Sequence, residues 1–449
     1  MGGIVYVVHC IDTEGPLYES PEVPFEQIRK VYGIHIPASE ENLQKLRKGE
    51  LDLGGKEKAV KTLIDVHRTA TGGDWYAIDR MLEKITSKDF RIQLPDCEGQ
   101  GWKYSWFCMD HVGFTGKNPR RRDAGHHKIF DHYTDIINTQ HMGDIVQFHH
   151  HPVSHSGNYN ESGTAFWGRS TLNDILTRKI IEREWFPVAF RPGFHTERAD
   201  AHWFLEQWIP FDYGNQAVNR MASDQPDMID GRFGDWRMAP AEWKPYHPAH
   251  DNYQKKGNCR RWVTRCLNMN AKSCEITQED VSEAFQLAEK EGSAILAFTD
   301  HDYKDMEYEV NRIRSFLKVS GDRFPNVCFK YADAVTAMRE YCRLKPQDVG
   351  MSCDVMDLQN GKKLIIKTKN NIFGSQPYLA LKTKDGRFIW DNLDNGIDCQ
   401  WNYTFDYNSI SYEEIEKIGI AASNDYGYCE VMIYDTKECR WHKRILNER

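Results

Sequence analysis

Short apolar runs that stop at polar, hydrogen-bonding side chains recur along the first three quarters of this chain. The first, Gly3 to Cys10, contains Ile4-Val5-Tyr6-Val7-Val8 and reads as a buried strand. Trp102 to Met109 and Ile145 to Phe148 read as two more, with Pro187 to Phe190, Ala294 to Phe298 and Val327 to Lys330 further on. Between them lie stretches with helical spacing. These are Ile129 to Thr139, Thr171 to Trp185 with Ser170 placed to cap it, Ala199 to Trp208, Gln278 to Lys290, Glu307 to Val319 and Ala334 to Cys342. Strand and helix in alternation predict an α/β fold with a parallel sheet.

Two segments break the rhythm. Residues 17 to about 100 form an expanded first connection, with helical patterns at Glu40–Arg47, Lys56–Val66 and Trp75–Ile85 and Gly-rich breaks between them. This is expected to be a lid or helical insertion within a domain spanning 1–345. From Pro346 the pattern becomes short strands separated by Asn360-Gly361, Asp385-Gly386 and Asn395-Gly396 turns, which predicts a β-sandwich over 346–449.

The candidate chemistry sits where strands end. Asp12 and Glu14 follow the first strand and project to one side, since strand side chains alternate. Two carboxylates there are costly unless paired or bound to a cation. His149, His150, His151 and His155 follow the third strand. His151 and His155 are four residues apart, so a one-turn bend would turn both toward one ion. Arg191-Pro192-Gly193-Phe194-His195 and Thr299-Asp300-His301-Asp302 follow later strands. In a parallel α/β barrel the site is built from the loops at that one face. The loop from Lys117 to Lys128, with Arg120, Arg121, Arg122, His126 and His127, reads as solvated surface, with a cradle for an anionic group as the minority reading. Aromatic residues between Trp236 and Tyr253 suit sugar rings and core filling equally.

Composition narrows the classes. A net charge of −8 gives no basic footprint and argues against nucleic acid as a partner. The cysteines form no CxxC pair, which favours isolated thiols over a zinc ribbon or disulfide scaffold. No run reaches the roughly 20 apolar residues of a membrane span, so a soluble, cytoplasmic protein is expected.

In their order along the chain, these clusters resemble the NodB-homology polysaccharide deacetylases, the fourth carbohydrate esterase family. Ile11-Asp12-Thr13-Glu14-Gly15 resembles the first motif in its Asp-x-Asp/Glu form, and His151-Pro152-Val153-Ser154-His155 keeps the spacing of the second. Arg191-Pro192-Gly193-Phe194 is similar to the third, Asp235-Trp236 to the end of the fourth, and His301 to the histidine of the fifth. The resemblance covers roughly residues 3 to 343. It implies a distorted (β/α) barrel and one divalent metal, zinc first, with cobalt, nickel or iron able to take the same ligands. It further implies Glu14, His151 and His155 as ligands, Asp12 as base, His301 as acid and Arg191 orienting Asp12. His150, Phe194 and Trp236 are expected against the substrate. Asp12 and Glu14 could exchange roles, and His149, His150 or His195 could substitute as ligands or touch substrate. The expected reaction is removal of an N-acetyl group from an amino sugar of a bacterial surface polysaccharide. Hydrolysis of another carbon–nitrogen bond and non-catalytic glycan binding are the competing readings.

Overall fold

The computed structural model describes residues 2–18, 20, 22–65, 71–110, 125–153, 155, 163, 165–168, 170–219, 234–269 and 274–447. Eight parallel strands organise it: β1 (Ile4–Thr13), β2 (Tyr104–Cys108), β3 (Ile145–His150), β4 (Ala189–Pro192), β5 (Phe211–Asn215), β6 (Trp262–Asn268), β7 (Ser293–His301) and β8 (Cys328–Tyr331). The first seven pair in chain order, and β7 returns to pair with β1, closing a seven-stranded parallel barrel. β1 is long enough to serve two neighbours on its other edge. Its Ile4–Val7 half pairs with β8 and its His9–Thr13 half with β2.

Alternation along β1 explains what fills the barrel. Cys10 and Asp12 face inward; His9 faces out, where Trp102 donates from its indole to Nδ1 at 3.1 Å. Burial pushes the His9 pKa down to about 3, so this ring is neutral packing. Phe107 and Tyr213 meet inside at 6.2 Å between ring centroids, and both are fully buried. The barrel floor is therefore packed side chains, and the open end is the one where the strands finish.

Two strands have no counterpart among the predicted ones, β5 and β6. Arg265 at the centre of β6 reads as a polar interruption, yet the side chain is buried, pairs with Asp280 at 2.9 Å and stacks on Trp243. The first connection also divides differently from the expected insertion. Phe25, Ile28, Leu43, Leu46, Val60 and Leu63 form a small cluster of their own. The helix Trp75–Ile85 instead buries Ile78, Leu82 and Ile85 in the barrel's core. One disulfide, Cys97–Cys328, departs from the expectation of isolated thiols.

After the barrel come two antiparallel sheets. One holds Ser352–Leu358, Gly361–Lys367, Gln400–Phe405 and Asp394–Asn395; the other holds Phe388–Asp391, Tyr378–Thr383, Ile415–Ser423, Cys429–Asp435 and Arg440–Leu446. They share one apolar cluster that includes Leu364, Ile366, Leu381, Phe405, Ile418 and Ile420. The outer face of the second sheet puts Ala421, Val431 and Ile433 into the barrel's core beside the helix Thr171–Arg183. Among the described residues no helix is long and apolar enough to cross a membrane.

Candidate metal centre

The finishing ends of β1, β3, β4 and β7 converge on one constellation. Glu14, His149 and His151 present ligand atoms that all lie within 4.8 Å of one another. His149 Nε2 is 2.9 Å from His151 Nε2, and Glu14 Oε1 is 3.0 Å from His151 Nε2 and 3.5 Å from His149 Nε2. A zinc-like ion with bonds of about 2.0–2.1 Å at tetrahedral angles holds ligand atoms about 3.3 Å apart, so the observed triangle has the right size for one cation. The imidazole of His149 is also in the right tautomer. Its Nδ1 is 3.0 Å from the Arg191 carbonyl, which can only accept, so Nδ1 carries the proton and Nε2 offers a lone pair.

The sequence pairs His151 with His155, whereas the structure pairs it with His149. Pro152 is the reason. A residue before proline is pushed toward extended backbone, so the helical bend that would bring positions 151 and 155 together is disfavoured at its first residue. The chain stays extended past His151, and Pro152 accepts a backbone hydrogen bond from Gly163 at 2.8 Å. Period-two alternation then puts His149 and His151 on one side. His155 is exposed, with its ring beside Gly168, outside the group of three. The same alternation turns His150 the other way. It is buried between Phe148 and Phe166, so the expected substrate contact is replaced by packing. Burial, and then the neighbouring His151 and His149, lowers its pKa to about 3.

The two carboxylates at the end of β1 take separate tasks. Glu14 belongs to the candidate metal group. Asp12 is held by Arg191 through a two-point pair at 2.6 and 3.0 Å, and the remaining guanidinium nitrogen donates to the Tyr213 carbonyl at 2.5 Å. Burial opposes ionisation of Asp12, but Arg191, then His149, hold its pKa below the ordinary carboxylate range. His301 is the cross-strand neighbour of Asp12, and its Nε2 lies 3.7 Å from Glu14 Oε1. Burial, with Lys304 beside it, lowers the His301 pKa to about 3 against the pull of Glu14 and Asp12, so the ring rests neutral.

Asp302 is the residue whose task the sequence does not reveal. It is fully buried, accepts from the backbone of Glu14 at 3.0 Å and of Gly15 at 2.8 Å, and takes a third hydrogen bond from the Tyr133 hydroxyl at 2.8 Å. It thus fixes the turn that presents Glu14, and Gly15 completes that turn at φ +69°. Its place directly after His301, at a strand end, was the available signal.

Phe194 stands at the mouth, half-exposed, with its ring 5.0 Å from that of His151 in an edge-on contact. Trp236 does not. It is buried in a side cluster with Tyr246, Tyr253 and Val263, and its indole donates to the His195 carbonyl at 3.0 Å. Trp236 therefore braces the turn that carries Phe194, in place of the expected substrate contact. Arg120, Arg121 and Arg122 lie outside the described residues, while His127 from the same loop is buried and pairs with Glu182 at 2.7 Å.

The approach of β4 to His151 leaves no spare room. A Cβ on Gly193 would lie 2.4 Å from the His151 ring. Gly193→Ala is expected to displace that ring and weaken divalent-metal affinity by about tenfold or more, as read by chelator competition. Unchanged affinity would show that the ring can move aside.

Behind β7, Asp300 and Glu309 carry buried carboxyl oxygens without hydrogen-bond partners. Burial raises the Asp300 pKa; burial and then Asp300 raise that of Glu309, with Arg312 opposing. The folded chain keeps a proton there that the unfolded chain releases above about pH 4.3, so stability falls as pH rises from that point, by at most about 1.4 kcal/mol per pH unit. Glu309→Gln is expected to flatten this slope in urea unfolding at about pH 5 and about pH 8. An unchanged slope would exclude a retained proton on Glu309.

No family model matches the chain, and the comparison with curated proteins returned no match.

Proposed function

We propose that this protein is a metal-dependent hydrolase that removes the N-acetyl group of an amino sugar. The observation that carries the reading is the Glu14–His149–His151 triangle beside the Asp12–Arg191 pair at the open end of a closed parallel barrel. Zinc suits two imidazoles and a carboxylate, and cobalt, nickel or iron accept the same donors. Such a cation, when bound, polarises an acyl carbonyl and activates water at neutral pH.

The chain's own residues supply the rest. Arg191 fixes both oxygens of Asp12, so the carboxylate is ionised and aimed. Asp12 accepts the proton of the attacking water. His301, its cross-strand neighbour and neutral at rest, takes that proton on to the departing nitrogen, which cannot leave as an amide anion. Phe194 offers an apolar face at the mouth for the sugar ring. The fold class behind this reading is the deacetylase-type (β/α) barrel, acting on a soluble or carrier-linked precursor of a surface polysaccharide.

The test is acetate release from N-acetylglucosamine, its nucleotide-linked form and short chitin oligomers. Activity that disappears with a chelator and returns with zinc or cobalt supports the proposal. No acetate from any probe, by protein shown to hold one metal per chain, would refute the N-acetyl specificity and move the reading to another carbon–nitrogen bond.

A further inference from the structure

The turn after β4 is built at a conformational cost. Phe194 and His195 are consecutive non-glycine residues with left-handed backbone, at φ +51° and +50°. Each is unfavourable relative to ordinary backbone, and such residues persist where the surroundings over-determine them. Four hydrogen bonds do so here. Thr196 donates its amide to Gly193 at 3.0 Å and Glu197 to His195 at 3.1 Å. Gly234 donates to the Phe194 carbonyl at 3.2 Å, and the Trp236 indole to the His195 carbonyl at 3.0 Å.

The strained backbone sets Phe194 against the metal group and brings His195 into its neighbourhood. Phe194 lies edge-on to His151. His195 comes within electrostatic reach of Arg191, Asp12, His301 and His149. Its Nδ1 is shut away from solvent and has no hydrogen-bond partner. A buried N–H without an acceptor is rarer and costlier than a buried lone pair without a donor, so the ring proton belongs on Nε2. Nε2–H is then a neutral donor on a ring that neighbours the metal group.

We infer that His195 is a further substrate-contacting residue, whose Nε2–H donates to the acyl oxygen as negative charge develops on it. This rests on the amide-hydrolase reading above. A preorganised neutral donor suits that position, because it strengthens as charge appears and needs no reorganisation. It is also distinct from the proton transfer given to Asp12 and His301.

The experiment uses the full chain loaded with cobalt and the probe acetohydroxamate, which chelates a metal through its acyl oxygen and its deprotonated N–O oxygen. Wild type, His195→Ala and His195→Gln are titrated with cobalt and then with the probe. The expected result is cobalt affinity within about twofold of wild type in both variants. Probe affinity should fall about tenfold or more in His195→Ala and be largely retained in His195→Gln, whose amide still donates. Equal probe affinity in wild type and His195→Ala would overturn the inference. So would loss of cobalt in both variants, which would make His195 a ligand or a structural element. A wild-type chain that binds no metal is a separate result, and it defeats the hydrolase reading on which the inference stands.

Discussion

His149→Ala is expected to lose stoichiometric metal, while His155→Ala keeps it. The two replacements separate the geometry from the sequence spacing. His149 Nε2 lies 2.9 Å from His151 Nε2 and 3.5 Å from Glu14 Oε1, and its Nδ1 is anchored on the Arg191 carbonyl. Removing it deletes one corner of the triangle and leaves the Arg191 carbonyl without the imidazole that it orients. Loss of an outer partner alone costs about 10–100-fold in affinity, so loss of the ligand is expected to exceed 100-fold. His155 is exposed and stands outside the group, so its replacement is expected to change affinity by less than about threefold. Elemental analysis after dialysis against excess metal checks both. The reverse outcome, metal retained without His149 and lost without His155, would restore the i, i+4 pair.

The second large effect is expected at Arg191→Met. Arg191 is fully buried, and its partner Asp12 is nearly so. Methionine keeps the stem's volume but leaves Asp12 as an uncompensated buried carboxylate. Breaking a buried pair by removing one partner costs about 3–5 kcal/mol. The sign with pH follows from the lowered Asp12 pKa. The pair's contribution is fully present above the unfolded carboxylate value of about 3.9 and is lost as pH falls through the folded value, which lies lower. The deficit of Arg191→Met is therefore expected to be full at neutral pH and to shrink in strong acid, where Asp12 is protonated in wild type too. Adding Asp12→Asn should recover part of the loss, since it removes the unpaired charge. Urea unfolding of the two single variants and the double variant measures this. A double variant no more stable than Arg191→Met would mean that packing, rather than charge, carries the cost.

Where an apolar strand stops at polar residues, the sequence is readable. Asp12, Glu14, Arg191 and His301 all lie at such stops, and all four meet at the barrel's open end. Four features were not legible, each for a local reason. The partner of His151 depends on Pro152, which favours extended chain over the bend that the i, i+4 spacing suggests. Strand β6 is hidden because Arg265 looks like a surface residue until its distant partner Asp280 and its platform Trp243 are seen. Trp236 has the composition of a sugar platform, but tertiary packing buries it against Tyr246 and Tyr253. Asp302 is silent because its value lies in two backbone amides 287 and 288 residues away in sequence.

Under the proposed reading, one divalent cation is held by two imidazoles and a carboxylate at the open end of the barrel. X-ray absorption spectroscopy of the zinc-loaded chain tests it most directly. The expected result is one zinc per chain with two imidazole nitrogens and carboxylate oxygen at about 2.0–2.2 Å, and one imidazole fewer in His149→Ala. Zinc bound through thiolate sulfur, or an imidazole count that does not change in His149→Ala, would contradict it.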